Sequence, residues 1–231
     1  MKSSNITIAV IDDSLKWSKI AESHINKIEG YSLLVKQQDG FNFINWCYHH
    51  KQLPDIAIVD IEMPKMDGVQ LTDFLTEHFP SIKTIAISSY CHIEAIEDMI
   101  SGGAWGYVSK LYDMKNLPQA IIEVAKGILY IDPILQIKEI SREHLMKTRE
   151  NQKEQLDKLN LSFKQKEIIS LYTTSASQKE IANALSLSTK TIENRVKNVS
   201  EILHVNNRQE FTIESLRRGF TRLARIFKSL D

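Results

Sequence analysis

The sequence is poor in cysteine and has no long hydrophobic run. Its two cysteines, Cys47 and Cys91, fall in different predicted segments and lack the spacing of metal ligands. A membrane-spanning helix needs about 18 consecutive apolar residues, and no such stretch occurs. We therefore expect no signal peptide, no transmembrane helix and no membrane partner. A reduced, cytoplasmic setting is the simplest interpretation of the cysteines.

Arginine is also absent from the first 141 residues, although the whole chain has a net charge of zero. Residues 1–133 hold 11 lysines and 17 acidic residues, a net charge of −6, whereas residues 161–231 hold 12 basic and 7 acidic residues, a net charge of +5. This division is typical of a protein whose basic end binds phosphate or another polyanion. Chance segregation of solvated surface charge gives the same pattern.

Short β-branched runs alternate with helical patterns through the first 130 residues. The runs occupy residues 6–11, 32–35, 55–59, 84–88 and 106–109. Between them, apolar residues recur every three or four positions, which is the spacing of one helix face. Five such alternations predict an α/β domain, in which a parallel five-stranded sheet is covered by helices on both faces.

Polar residues stand where four of these runs end. Asp12 and Asp13 follow the first run, Asp60 follows the third, Ser88 ends the fourth and Lys110 follows the fifth. In an open α/β sheet, ligands bind at the carboxyl ends of the strands. Three carboxylates placed there raise each other's pKa unless a cation intervenes, and such oxygen ligands suit Mg²⁺.

An aspartate at such an edge can be a covalent nucleophile toward a phosphoryl group. Mg²⁺ and the Lys110 ammonium would neutralise the transferring phosphoryl from two sides, while the Ser88 hydroxyl donates to one of its oxygens. Helix capping or a solvated turn explains a single acidic pair equally well. It does not explain four positions that fall at successive strand ends.

These motifs resemble the response-regulator receiver family over about residues 5–127: Val10-Ile11-Asp12-Asp13, Asp60 through Gly68, Ser88-Ser89 and Gly106 through Lys110. The resemblance implies a flavodoxin-like receiver domain over residues 1–130, with strand order 2-1-3-4-5. It also implies that Asp60 accepts phosphate from a histidine kinase. Asp12, Asp13, Asp60 and the backbone carbonyl of Glu62 would hold the Mg²⁺.

The same resemblance implies a switch. Ser88 and Tyr107 would be the switch pair, in which the hydroxyl is drawn to the phosphoryl and the ring follows inward. Lys110 would pair with the phosphoryl. A half-buried core aromatic is the alternative interpretation of Tyr107. Apart from self-phosphorylation and slow autodephosphorylation at Asp60, the resemblance implies no enzyme.

A helical linker is predicted over residues 131–160. Residues 134–160 contain no glycine or proline and are rich in helix formers. Their heptad-like stripe has a polar middle, so we predict a partly solvated helix, with dimer contact through it as an alternative. The stripe consists of Ile137, Ser141, Leu145, Thr148, Gln152, Leu156 and Leu159.

After residue 160 the pattern is helical throughout. Ser177 and Glu180 have the spacing of a capping box, and Ser188 marks a further helix start. We predict helices over 178–185 and 189–202, which a short turn joins into a helix-turn-helix. Apolar residues continue through Leu216, Phe220 and Phe227 toward the terminus, where they predict an extended C-terminal helix or a dimer seam, with a break near Gly219.

Residues 161–208 resemble the LuxR-type helix-turn-helix of the NarL/FixJ class of response regulators. The match includes Lys179-Glu180-Ile181-Ala182, Leu187-Ser188, Thr191-Ile192 and Asn207-Arg208. The resemblance implies that residues 161–231 form an all-α domain that binds double-stranded DNA, with the second helix in the major groove and a homodimer on paired half-sites. The candidate DNA contacts are Lys179, Lys190, Thr191, Glu193, Asn194, Arg195 and Lys197.

Two departures from the LuxR pattern keep other functions open. Glu193 stands where the family often has lysine, and Arg195 replaces a common histidine. A carboxylate repels phosphate, although it can accept from a cytosine amino group. A phosphorylation-independent regulator, or one that binds protein or RNA, is therefore an alternative. A phosphohydrolase is a third hypothesis, but Asp60-Ile61-Glu62 lacks the Asp-x-Asp of dehalogenase-like phosphatases.

Overall fold

The computed structural model describes residues 5–137, 140–156 and 159–222, and its first half is built on one parallel sheet. Six strands pair in the order β2-β1-β3-β4-β5-β6. Their β-branched side chains are almost all buried, because helices cover both faces of the sheet. The strands are β1 (Ile6–Ile11), β2 (Tyr31–Gln37), β3 (Ile56–Asp60), β4 (Lys83–Ser88), β5 (Gly106–Ser109) and β6 (Tyr130–Ile131).

Successive side chains of a strand point to opposite faces, so each strand contributes to two cores. Ile8 and Val10 of β1 pack with α1 and α5 on one face, whereas Ala9 and Ile11 pack with α2 and α3 on the other. Helix α4 lies on this second side, where it packs against Tyr107. The helices are α1 (Leu15–Ile25), α2 (Gly40–His49), α3 (Gly68–His78), α4 (Ile93–Ser101) and α5 (Leu117–Ala125).

The predicted order of the first five strands is confirmed, but the predicted count of five is wrong. Strand β6 adds to the edge of β5, where the Tyr130 amide donates to the Trp105 carbonyl oxygen at 3.0 Å. The Asp132 amide donates to the Tyr107 carbonyl oxygen at 2.9 Å. A strand of two residues is too short to show an alternating pattern, so only backbone pairing reveals it.

The helix of the linker is shorter than the predicted 131–160. Helix α6 (Arg142–Leu156) begins after β6 and a single 3-10 turn at Pro133–Leu135. It packs on α4, where the Arg142 guanidinium donates to the carbonyl oxygens of Gly103 and Ala104 at 2.9 and 3.0 Å. The linker residues 138–139 and 157–158 lie outside the described residues.

Four helices form the described part of the C-terminal domain, residues 159–222. They are α7 (Phe163–Tyr172), α8 (Gln178–Ala184), α9 (Thr189–Leu203) and α10 (Arg208–Arg217). Helices α8 and α9 are the predicted helix-turn-helix. Helix α10 ends at Arg217 and Gly219 adopts a φ of 68°, so the predicted break near Gly219 is confirmed. Residues 223–231, with Phe227, lie outside the described residues.

Asp73 on α3 is the centre of a polar cluster that joins the two domains. Its carboxylate accepts from Arg149 of α6 at 2.6 Å and from Arg222, beyond α10, at 2.7 Å. Arg222 also donates to the Ser101 hydroxyl at 2.7 Å and to the Asp98 carbonyl oxygen at 2.9 Å. The linker and the C-terminal domain are therefore both held on one face of the receiver.

No helix among the described residues is long and apolar enough to cross a membrane. This finding agrees with the sequence, which lacks a hydrophobic run of that length.

The first prediction concerns Asp73. Asp73→Ala leaves two largely buried guanidinium groups facing each other without their carboxylate, which costs about 3–5 kcal/mol of docking free energy. We expect a larger radius of gyration by small-angle X-ray scattering and separate unfolding transitions for the two domains. Glu123→Ala, which removes the exposed pair with Lys126, is the control and should change neither. An unchanged scattering curve for Asp73→Ala would contradict the prediction.

Candidate functional site

Three carboxylates meet at one edge of the sheet, as the sequence predicts. Strands β1 and β3 are neighbours and parallel, so Asp12 and Asp13 after β1 lie beside Asp60 at the end of β3. One oxygen from each lies within 4.8 Å of the others. Asp12 and Asp60 are buried, whereas Asp13 is exposed to solvent. The group therefore has one face open to a ligand.

Lys110 lies between the two buried carboxylates. Its Nζ is 2.9 Å from Asp12 Oδ2 and 2.8 Å from Asp60 Oδ2, and its side chain is only 6% exposed. The Lys110 amide donates to the Ser88 carbonyl oxygen at 2.8 Å, which fixes where the side chain leaves the backbone. One ammonium thus faces two carboxylates, with Asp13 close by.

The site therefore holds more negative than positive charge. Burial raises the pKa of the Asp60 carboxyl to about 6; Lys110 opposes this shift and Asp12 adds to it. Burial also raises the pKa of Asp12. Buried carboxylates in excess over their cation are the condition that a divalent ion relieves, and their oxygens are the ligands that Mg²⁺ prefers. The residues present therefore fit a magnesium ion.

Gly68 keeps the segment after Asp60 close to the sheet. A Cβ at this position would lie 2.3 Å from the Asp60 backbone oxygen, so any larger residue would push the segment away. The Gly68 amide donates to the Ile61 carbonyl oxygen at 2.9 Å. The backbone amide of Glu62 points toward Asp60 Oδ1 at 3.4 Å. Glycine is required here for close approach and not for an unusual turn.

The predicted switch pair lies beside this site. Ser88 and Tyr107 are both fully buried on the neighbouring strands β4 and β5, Ser88 at the end of β4 and Tyr107 two residues before the end of β5. The Tyr107 hydroxyl donates to the Tyr90 carbonyl oxygen at 2.9 Å, and the Tyr90 amide donates to Ser88 Oγ at 3.0 Å. The ring is therefore inside the fold, a position that both interpretations of Tyr107 accommodate.

Most candidate DNA contacts form an exposed surface on α8 and α9. Lys179, Lys190, Glu193, Asn194 and Lys197 are exposed, while Thr191 is partly buried. Lys190 Nζ lies 3.1 Å from Glu193 Oε2, so the acid is partly neutralised by its own helix. The exposed charges of α9 are balanced, because Lys190 and Lys197 lie beside Glu193 and Glu201. Its two exposed lysines are the groups that could contact phosphates.

Arg195 faces outward less than predicted. Its side chain is 23% exposed, and Nη1 donates to Glu167 Oε2 on α7 at 3.1 Å. The other oxygen of Glu167 accepts from the hydroxyl of Tyr48, a receiver residue, at 2.6 Å. Sequence reasoning missed this link, because Glu167 reads as an ordinary polar position of a helix.

Comparisons with known proteins identify a family for each of the two domains. The family "Response regulator receiver domain" matches residues 8–122, and "Bacterial regulatory proteins, luxR family" matches residues 159–214. The chain is a response regulator. It is a transcription factor with a receiver domain and a LuxR-type DNA-binding domain, the arrangement of the NarL/FixJ class.

This response regulator is similar along most of its length to other regulators. It is 27% identical to the transcriptional regulatory protein DegU of Brevibacillus brevis over 230 residues, which cover 94% of this chain and 96% of DegU. It is 26% identical to the response regulator protein VraR of Staphylococcus aureus over 164 residues, which cover 71% of this chain and 75% of VraR.

Solved structures share its fold. The RcsB response regulator of Salmonella typhimurium aligns with a TM-score of 0.53 at 22% identity, over 91% of this chain and 97% of RcsB. The isolated REC domain of RcsB from Salmonella enterica serovar Typhimurium aligns with a TM-score of 0.53 at 21% identity, over 57% of this chain and 96% of that domain. At such identities the likeness concerns the fold alone.

Sequence analysis missed two aromatic residues that lie near the three carboxylates. The Tyr90 hydroxyl donates to Glu62 Oε1 at 2.9 Å, so it joins the loops that follow β3 and β4. The Trp17 ring on α1 lies 5.5 Å from Lys110 Nζ, within the range of a cation–π contact. Tyr90 lies in a loop and Trp17 lies on a helix face, where the spacing of residues along the sequence does not indicate a site.

The second prediction concerns Lys110. Lys110→Ala leaves Asp12 and Asp60 buried without a cation, and removing one partner from a buried ion pair costs about 3–5 kcal/mol. We expect lower stability in urea unfolding with EDTA, and a larger gain on adding Mg²⁺ than the unaltered protein shows. Lys115→Ala, at an exposed position, is the control. Equal stability of Lys110→Ala and the unaltered protein in EDTA would refute the prediction.

Proposed function

We propose that Asp60 of this transcription factor accepts a phosphoryl group from a histidine kinase and that this reaction biases dimerisation and DNA binding. The single observation that carries the proposal is the position of the Lys110 ammonium, within 3 Å of both Asp12 and Asp60, at an edge open through Asp13. This arrangement is suited to hold a dianionic group against the Asp60 carboxylate.

In the proposed transfer, a carboxylate oxygen of Asp60 attacks the phosphorus of a phosphohistidine. The new bond joins that oxygen to phosphorus, the bond from phosphorus to the imidazole nitrogen breaks, and the imidazole leaves with the electron pair. Lys110 pairs with the phosphoryl oxygens and Ser88 donates its hydroxyl to one of them. Asp12, Asp13, Asp60 and the Glu62 carbonyl would hold Mg²⁺, which when bound neutralises charge on the phosphoryl.

The change at Asp60 would then alter the balance between conformations. Ser88 Oγ accepts from the Tyr90 amide and would donate its hydroxyl proton to the phosphoryl. A movement of Ser88 toward the phosphoryl would therefore draw on Tyr90, whose carbonyl oxygen accepts from the Tyr107 hydroxyl. A group that binds one conformation better shifts the population toward it. Self-phosphorylation and slow dephosphorylation at Asp60 are the only chemistry in the proposal.

The protein would bind double-stranded DNA as a homodimer in the cytoplasm. RcsB, a response regulator with this fold, has a solved structure in complex with DNA. Helix α9 would enter the major groove with its first residues at base edges, while Lys179 at the start of α8 would meet phosphates. Twofold symmetry of the dimer would match paired half-sites.

The third prediction tests the acceptor. Asp60→Asn replaces the nucleophilic carboxylate with an amide, so labelling by radioactive acetyl phosphate in Mg²⁺ should fall to background. Glu62→Gln, which keeps the backbone carbonyl, is the matched control and should still be labelled. Continued labelling of Asp60→Asn at another residue would refute the assignment.

The fourth prediction tests the DNA surface. Lys197→Ala removes one exposed cation, so affinity for a random-sequence duplex should fall and the slope of log K against log salt should decrease in magnitude by about 0.9.

Arg195→Ala should also weaken binding, and an unchanged affinity would remove Arg195 from the interface. Glu193→Gln should strengthen binding, because it removes a charge that repels phosphate. Lys126→Ala on the receiver should change nothing, as measured by fluorescence anisotropy.

A further inference from the structure

The segment that follows Asp60 touches the DNA-binding domain directly. We call residues 61–67 the acceptor loop. Lys65 lies in this loop, toward the end that is farther from Asp60. Lys65 Nζ lies 2.5 Å from Glu180 Oε1 on α8, and the amide of Ser175 donates to the Lys65 carbonyl oxygen at 3.2 Å. The phosphoacceptor residue and the helix-turn-helix are thus separated by only five residues of chain.

Buried side chains hold the acceptor loop near both of its ends. Ile61 and Met66 are fully buried, and the Met66 amide donates to the Pro64 carbonyl oxygen at 2.9 Å. Asp67 ends the loop as the N-cap of α3, where its carboxylate accepts from the Gln70 amide at 2.8 Å. Lys65 has a φ of 72°, a conformation that few non-glycine residues adopt. A displacement at the Asp60 end is therefore passed to Lys65, since the buried residues on either side resist local bending.

The contact on the other domain involves a residue that starts a helix. Glu180 is the third residue of α8, and its second oxygen accepts from the amide and the hydroxyl of Ser177, both at 2.8 Å. Lys65 therefore binds the carboxylate of a capping box. In helix-turn-helix proteins the first helix crosses the DNA backbone, so the position of this end of α8 bears on DNA binding.

Other polar contacts between the domains come from elsewhere on the receiver. Tyr48, Asn45 and His49 on α2 contact Glu167, the Asn183 carbonyl oxygen and Ser186. Asp73 on α3 contacts Arg222. Of these polar contacts, only the contact of Lys65 with Glu180 and Ser175 lies on the acceptor loop, which directly follows Asp60.

We infer that the Lys65 contact with Glu180 and Ser175 couples the state of Asp60 to α8 through the acceptor loop. The inference rests on the proposed function, because it requires that Asp60 carry a phosphoryl group. Coupling between two sites is reciprocal, so a change at Asp60 that alters α8 is matched by an equal effect of α8 on ligand affinity at Asp60.

The experiment uses the full chain, Mg²⁺ and beryllofluoride as the phosphoryl mimic. Binding is followed by tryptophan fluorescence, since Trp17 lies beside Lys110, and α8 is followed by amide hydrogen exchange of a peptide covering residues 175–185. In the unaltered protein, the mimic should change the exchange rate of this peptide. In Lys65→Ala that change should shrink by about twofold to fivefold, the effect of losing an exposed ion pair, while the mimic still binds.

Two further variants sharpen the test. Glu180→Gln keeps an oxygen for the cap but loses the charge, so it should behave as Lys65→Ala does. Lys36→Ala removes the pair between Lys36 and Glu22, which at 2.6 Å and similar exposure matches the Lys65 pair but lies within the receiver. It should respond as the unaltered protein does.

The outcomes separate the inference from the proposed function. If Lys65→Ala binds the mimic and its α8 peptide responds fully, the inference is overturned and the proposed function stands. The same holds if the unaltered protein binds the mimic without any response in α8. Loss of mimic binding in Lys65→Ala would also overturn the inference, because Lys65 would then serve the site itself. Failure of the unaltered protein to bind the mimic would refute the proposed function, and the inference with it.

Discussion

A single buried ammonium shared by two carboxylates sets the chemistry of this response regulator. Lys110 reaches Asp12 and Asp60 from the end of β5, so three strands must hold their register for the contact to form. Burial without full compensation raises the pKa of both carboxyls. The site therefore has too little positive charge to balance its carboxylates. Binding of a divalent cation would correct this imbalance and would favour a phosphoryl group beside it.

The arrangement of the two domains depends on polar contacts and on a shared apolar cluster. The buried residues around Phe74 of the receiver continue into those around Ile168 of the DNA-binding domain. Charged pairs at Asp73 and Lys65 surround this cluster. Apolar burial supplies most of the attraction, whereas ion pairs fix direction and can be altered by a change of charge nearby.

The sequence was sufficient for the family, the order of five strands and the helix-turn-helix, because these follow from periodicity and from motifs at fixed spacing. It was insufficient where the structure depends on a short pairing or a distant partner. Strand β6 has two residues and gives no alternation. The prediction that Arg195 faces outward rested on helix geometry alone, whereas Glu167, 28 residues earlier, draws the side chain aside.

The sequence by itself determined which residues meet at the candidate site. Asp12, Asp60 and Lys110 follow buried strands, and parallel strands bring such positions to one edge whatever the loops do. Only the tertiary structure decided how the two domains face each other, and hence that Lys65 meets Glu180 across 115 positions. Contacts of this kind depend on the relative placement of two folded units, which no local pattern of residues encodes.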